Sequence, residues 1–461
     1  MANNFILYNH ADCEDHFFLL LVKEEVINMH RFLNVINFPV MAFGIILVIG
    51  APAYARQHFV SAMAVESAQA DGSHAAPWSD LQRLFTEEIV KSGDEVVLLD
   101  GFFGSLKLEG RKFSKRTFIS GQPGKAARLF SLRINDSKNL HLRNLTISPS
   151  FSDRPAPKSI IYVGKSSSQI ILEGLSVFSA PDVSNWSKSD WNTKTSHGMR
   201  IEGNDIELRN NVVSNVDFGI TVIGKYTKVI GNEVNRFAGD GLRGLGDHAL
   251  FEQNTVKNCI TVNKNHDDGF QSWSHGKDGK VGTGEVKDVT LRRNLFLAYE
   301  DPDQPFRCKM QGIGLFGGMY VNWVIENNIV ITDHWHGITV LGAQNVRIVN
   351  NTVIDPNRSR PGPAWISIGK HQDGRLSNGN LVANNIAHSF KMDKKGVVLL
   401  RNSTVGSKTD TFVDYENGDL RLREGVSEID SGMPGLGINI DFYGNPRPKG
   451  SGIDIGAVES H

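Results

Sequence analysis

Short runs of alternating apolar and polar residues recur along the chain, and each closes on the same kind of turn. They read LRNLTI ending at Ile147, LEGLSV at Val177, RNNVV at Val213, IGNEV at Val234 and EQNTV at Val256. RRNLF at Phe296, ENNIV at Val330, VNNTV at Val353 and ANNIA at Ala387 complete the series. A period of two marks half-buried strands, not helices. The equivalent position is Leu145, Leu175, Asn211, Asn232, Asn254, Asn294, Asn328, Asn351 and Asn385, so asparagine holds it from Asn211 onward. Successive gaps are 30, 36, 21, 22, 40, 34, 23 and 34 residues. The short gaps match one coil of a solenoid, and the long ones are the same coil with a loop inserted. Asparagine suits the repeated turn because it tolerates the left-handed backbone conformation, and its amide can bond to the asparagine one coil away.

A second column precedes these turns: His197-Gly198-Met199-Arg200-Ile201, then the segments starting at Phe218, Asp240, Asp268, Gln311 and His336, each with glycine second. Alternation sends the third and fifth residues inward and the fourth outward. The outward column is Arg200, Thr221, Arg243, Gln271, Gly314 and Thr339, with neighbours ~4.8 Å apart. Together the two columns predict an all-β chain, a single-stranded right-handed parallel β-helix. Trp78 to Val90 has helical spacing of apolar residues and is expected to cap its N-terminal end.

The layout read from the sequence has three parts. Met29-His30-Arg31, the apolar stretch Phe32–Gly50 and Ala53-Tyr54-Ala55 form an export signal cut after Ala55, with Met29 as the true start. An uncleaved membrane anchor is the alternative. Residues 56–76 read as a linker and 77–461 as the β-helix. The expected product is secreted or periplasmic, monomeric, and not stably inserted in a membrane. A formal charge of −1 gives no electrostatic footprint for nucleic acid. Of the three cysteines, Cys13 precedes the expected start, and Cys259 and Cys308 can either bridge or remain free thiols.

Candidate chemistry falls in the longest insertions. The gap from Asn254 to Asn294 holds Asn265-His266-Asp267-Asp268-Gly269-Phe270-Gln271, and the next holds Arg307-Cys308-Lys309. Asp240 and Arg243 lie one coil before Asp268 and Gln271. Capping of the turn accounts for one aspartate taken singly, but not for His266, Asp267 and Asp268 together. In one reading His266, or Lys309, removes a proton beside a carboxylate, and Arg243 and Arg200 neutralise that carboxylate. In another, Asp240, Asp267 and Asp268 act as paired carboxylates. A third reading is a non-catalytic carbohydrate-binding surface. Gln271, Arg307, His334, Trp186, Trp191 and Trp273 are candidate substrate contacts in each, and His197 and His336 read as structural.

The opening GDEVVLLDGFFGSLKLEG followed by RTFISGQPG resembles the start of pectate-lyase-like β-helix proteins, particularly the alginate lyase and chondroitinase B branch. The repeats extend that resemblance over roughly residues 77–400, and the C-terminal segment from Leu420 resembles the close of secreted bacterial β-helix proteins. His266-Asp267 matches the end of the Asp-Pro-His-Asp motif of mannuronan epimerases. Asp240 followed by Asp267-Asp268, with His336-Gly337 and Arg307-Cys308-Lys309, is similar to polygalacturonase elements in reversed order. The resemblance implies a polysaccharide substrate, acidic given the two arginines, and a lyase or C5-epimerase with hydrolysis as the alternative. It fixes no cofactor and leaves calcium open; the calcium-dependent lyase branch would imply calcium held by Asp240, Asp267 and Asp268.

Overall fold

The computed structural model describes residues 55–357, 360–393 and 395–460. The export segment expected up to Ala55 therefore lies, all but its last residue, outside the described residues, as does Cys13. Among the described residues no helix is long and apolar enough to cross a membrane.

Each coil contributes one strand to each of three long parallel sheets, of 13, 11 and 12 strands. A representative coil runs His197–Ile201 in the 11-stranded sheet, Asn204–Arg209 in the 13-stranded sheet and Val212–Val216 in the 12-stranded sheet. Inward residues stack in register. Leu142, Leu172, Leu208, Val229, Phe251, Leu291, Ile325, Ile348 and Val382 form one continuous column, each essentially inaccessible to solvent. Full burial of such a side chain contributes roughly 1.5–3 kcal/mol.

The asparagine ladder is present. Asn254 shows a rung: its Nδ2 donates to Asn294 Oδ1 (2.9 Å) and to Val229 O (2.8 Å), and its backbone N–H donates to the same Asn294 Oδ1 (3.0 Å). The pattern runs unbroken from Asn211 to Asn385 and ends on Asn402, a rung the spacing argument did not include. The left-handed residue, however, is not the ladder asparagine but the one before it. Asn210, Gly231, Gln253, Arg293, Asn327, Asn350, Asn384 and Arg401 have φ between 50° and 66°. That kink turns the next side chain into the interior, where its amide serves peptide groups that the corner leaves unpaired.

The kinked column has its own use, because the C-terminal tail folds back along it. Arg293 Nε donates to Phe442 O (3.1 Å), Asn327 Nδ2 to Ile440 O (2.7 Å), and Asn384 Oδ1 accepts from Met433 N (2.7 Å). The tail is fastened by a fully buried Arg447–Glu459 pair at 2.9 Å.

Two boundaries differ from expectation. Gln57–Val60, read as linker, is the first strand of the 13-stranded sheet and pairs in parallel with Glu95–Leu98. Its alternation was too short to separate from the Ala- and Ser-rich residues that follow. The capping helix spans only Leu81–Thr86. Asp80 caps it, Glu88 then turns left-handed at φ 55°, and the chain folds back with the N–H groups of Ile89 and Val90 both on Leu84 O. The cap also closes an edge: the Gln82 amide donates to Lys107 O and accepts from Lys107 N, each at 2.9 Å, standing in for the missing neighbour strand.

Replacing Asn294 with alanine removes the acceptor of both Asn254 donors and leaves the buried Asn254 backbone N–H without a partner. We expect a loss of roughly 2–5 kcal/mol of unfolding free energy, read by denaturant titration. Asn402→Ala, at the half-buried end of the ladder, should cost clearly less.

Candidate active site

The 11-stranded sheet carries the outward column. Pairing runs Arg200–Thr221–Arg243–Gln271–Gly314–Thr339, as the alternation required, and extends back through Tyr162 and Arg133 to Lys107 and on through Ser367 to Lys391. Five of these eleven positions are cations and none is a carboxylate. This sheet is the groove sheet.

The second-position glycines are demanded by packing. A Cβ on Gly269 would lie 2.8 Å from Gly312 O and 2.9 Å from Phe296 Cδ1, and one on Gly241 2.3 Å from a Val256 methyl. With backbone so close to the neighbouring coil, the residue before each glycine bends back over the outward face. Three such residues bond to the outward residue three places on. Arg243 Nε donates to Asp240 Oδ2 (2.5 Å), Gln271 Nε2 donates to Asp268 Oδ2 (2.8 Å), and His336 Nδ1 lies 2.9 Å from Thr339 Oγ1.

The aspartates are buried, Asp240 at 1% and Asp268 at 0% exposure, with Asp267 at 8%. Asp268 N donates to Asp240 Oδ1 (3.3 Å), which sets the two acids on adjacent coils. Asp268 Oδ1 has no partner and sits beneath Gly314, where a Cβ would lie 2.5 Å from that oxygen. Gly314 thus leaves the space the carboxylate occupies, and Phe316 closes over it. Burial raises the pKa of all three acids. The charge of Asp240 raises Asp268 further, and Asp267 is pushed up to about 7 by burial and by Asp240 and Asp217, against a Thr261 hydrogen bond. Arg243 partly offsets the effect on Asp240, and its guanidinium lies 3.5 Å from the Phe218 ring centroid and 5.1 Å from that of Trp273.

The walls come from loops that enter the groove sheet. A disulfide joins Cys259 to Cys308, their Cα atoms 5.4 Å apart, and an antiparallel bridge links Ile260 to Arg307. The loop carrying His266 and Asp267 is thereby fastened to the loop carrying Lys309 and Gln311. The Asp267 carboxylate lies within 4.8 Å of both sulfurs, which as a disulfide are not available as metal ligands. His266 is exposed and its Nδ1 is 3.3 Å from Gln311 Nε2. Lys309 Nζ donates to Arg360 O. Beside them His334 and His336 stack at 5.2 Å; burial, then neighbouring positive charge, lowers both to about 4, so both imidazoles are neutral at pH 7.

The other expected contacts divide. Trp273 is half-buried against Arg243, in the groove. Arg200 is in the column but paired with Glu202 at 2.7 Å. Arg307 is held by Pro302 O and the Tyr299 ring. Trp191, expected to stack on sugar, is instead 3% exposed in a small cluster with Val183, Ala238 and Ile260, against which Trp186 packs. The local cause is the capped helix Lys188–Lys194, which turns that face inward. Sequence reasoning passed over Gly314, Phe316, Trp365 and Lys391. Gly314 had a signal, as a glycine among the long and branched side chains of the outward column.

The family described as "right handed beta helix region" matches residues 198–422. No curated protein matches the sequence. Similar solved structures include the pectate lyase Pel9A, 15% identical over 88% of this chain and 96% of that one, with a TM-score of 0.49. An alginate lyase from Paenibacillus sp. str. FPU-7 is 13% identical over 76% and 99%, with a TM-score of 0.38. A rhamnogalacturonan lyase is 14% identical over 79% and 95%, with a TM-score of 0.39.

The raised Asp267 fixes a pH dependence. Between about 4, its ordinary range, and about 7, the folded chain holds a proton that the unfolded chain has lost, so stability falls as pH rises through that window. In chelator, melting temperatures measured from pH 4 to 7 should fall, and Asp267→Asn should flatten the slope.

By its stacked three-strand coils, its asparagine ladder and the matched region, the chain is a right-handed parallel β-helix.

Proposed function

We propose that this protein is an exported lyase or C5-epimerase acting on a uronate-containing polysaccharide laid along the groove sheet. The observation that carries this reading is the outward column, with five cations and no carboxylate, whose members Arg243 and Gln271 are bonded to the buried acids Asp240 and Asp268. Cations spaced along a strand-to-strand column suit a polymer with a carboxylate on its sugars.

The acids raise a difficulty that points to a metal. Burying Asp240, Asp267 and Asp268 near one another raises the pKa of each, and Arg243 is a single cation facing them. Asp240 and Asp268 on adjacent coils, with one unpartnered buried oxygen on Asp268, would suit an oxygen-seeking divalent ion. Asp240 and Asp268, with the side-chain oxygen of Gln271, would hold calcium there, whereas the expected third ligand, Asp267, does not come close enough to both to complete a three-acid site. When bound, it would draw charge from the substrate carboxylate and make the neighbouring C5 proton more acidic.

The chain's own residues supply the rest. Lys309, fixed next to the buried Cys308, and His266 on the facing loop stand at the rim as the groups able to take the C5 proton. Arg243 holds the carboxylate side of the sugar between Phe218 and Trp273. Loss of the C5 proton with cleavage of the C4–O bond gives an unsaturated product, whereas return of a proton to the opposite face gives the epimer. Hydrolysis by paired aspartates is disfavoured, because Asp240 and Asp268 are closed to solvent and each already accepts a hydrogen bond.

The test is ultraviolet absorbance of the unsaturated product with a panel of acidic polysaccharides, with and without calcium. We expect a signal that chelator abolishes and that Lys309→Ala lowers at least a hundredfold with an unchanged melting temperature. If Lys309→Ala retains activity and His266→Ala loses it, the base is His266. New reducing ends without absorbance would instead assign the chemistry to the aspartates.

A further inference from the structure

Two to four coils beyond Gln271 the groove sheet carries an aromatic wall that the chemistry above does not use. Trp335 and Trp365 lie parallel, 2° apart in plane with centroids 5.7 Å apart, and Trp335 is 41% exposed. Both are held. Trp365 N donates to Trp335 O (2.8 Å), Trp335 N donates to Pro361 O (2.5 Å), and Trp365 Nε1 donates to Thr339 Oγ1 (3.1 Å). The Lys391 ammonium lies 3.4 Å from the Trp365 ring centroid. Among the described residues no carboxylate is within ion-pair distance of Lys391, and its charge lowers the pKa of neighbouring His336.

An exposed indole such as Trp335, held by its backbone and stacked on a second indole that is itself braced at its edge, is unusual for a folded surface. It leaves a broad apolar face in water beside an unpaired cation. A pyranose has apolar C–H faces that cover such a ring, and a uronate adds a carboxylate that a lysine can pair with. The pairing sequence Gln271–Gly314–Thr339–Ser367–Lys391 places Lys391 about 19 Å along the groove from Gln271, at ~4.8 Å per coil, with Trp365 one coil nearer and Trp335 at the start of the coil before that.

We propose that Trp335, Trp365 and Lys391 form a distal binding subsite for a uronate unit of the same polymer, so that the protein grips its substrate several sugars from the reacting bond. The proposal rests on the uronate reading above. Its consequence is dependence on chain length. An oligosaccharide too short to reach from Gln271 to Lys391 gains nothing from the wall.

Two measurements test it together. In electrophoresis through gels containing an acidic polysaccharide, Trp335→Ala and Lys391→Ala should each weaken retention three- to tenfold, and Lys391→Ala should also reduce its salt sensitivity. In kinetics, KM for polymer should rise by a similar factor while the penalty shrinks as the oligosaccharide is shortened; Trp335→Phe should restore most of the loss. Retention of both alanine variants equal to wild type overturns the subsite, as does a penalty independent of chain length. Retention that depends on Trp335 and Lys391 without any elimination or epimerisation keeps the subsite and overturns only the catalytic reading. Wild type retained by no acidic polymer overturns both.

Discussion

A single line of buried amides fixes where every other group in this molecule stands. From Asn232 onward each ladder asparagine accepts, at Oδ1, a backbone N–H and an Nδ2 hydrogen of the preceding coil, and its own Nδ2 donates to a carbonyl of that coil. A coil that slipped by one residue would strand all of these groups in the interior. It would also reverse the faces of the groove sheet, sending Arg243 and Gln271 inward and Leu242 and Phe270 out. Such a slip is far more expensive than the marginal stability of a protein domain. The outward column is therefore rigid, and its cations stand at fixed positions. The same ladder explains how long loops are tolerated: the strands before and after an insertion are already fixed by rungs on either side.

Against that rigid frame the acid cluster is a local conflict. Folding alone gives no reason to bury Asp240, Asp267 and Asp268 together, raise the pKa of each, and leave one oxygen without a partner. Gly314 and the disulfide sharpen the conflict. One keeps open the space that Asp268 fills, and the other pins the loops bearing His266 and Lys309 beside it. A site that costs stability in the empty protein and gains it on binding a cation is the arrangement expected of machinery that acts on anions.

The fold was legible because its signals repeat. Asn254 alone is a turn residue, but the same residue at Asn294, Asn328 and Asn351 identifies the coil, and alternation then orients Arg243 and Gln271 correctly. What repeated weakly was missed. Gln57–Val60 is one strand among small polar residues, and the left-handed position was misplaced by one because asparagine often occupies both places, as in Asn210-Asn211 and Asn327-Asn328. The gathering of Asp240, Asp267 and Asp268 was readable from register. The wall around them was not: Trp365 and Lys391 belong to coils that lack the leading residue-glycine pair, so their place in the column emerges only from pairing. Trp191 misled because a tryptophan in a polar loop looks exposed until the helix that carries it is seen to pack on Ile260.

The most direct test of the central claim is a crystal structure of the protein with a uronate oligosaccharide and calcium. The account predicts the sugar chain running across the coils of the groove sheet, with one carboxylate beside Arg243 and the cation on Asp268. A chain bound on another sheet, or lying in the groove with its carboxylates turned away from Arg243 and no ion at Asp268, would contradict it.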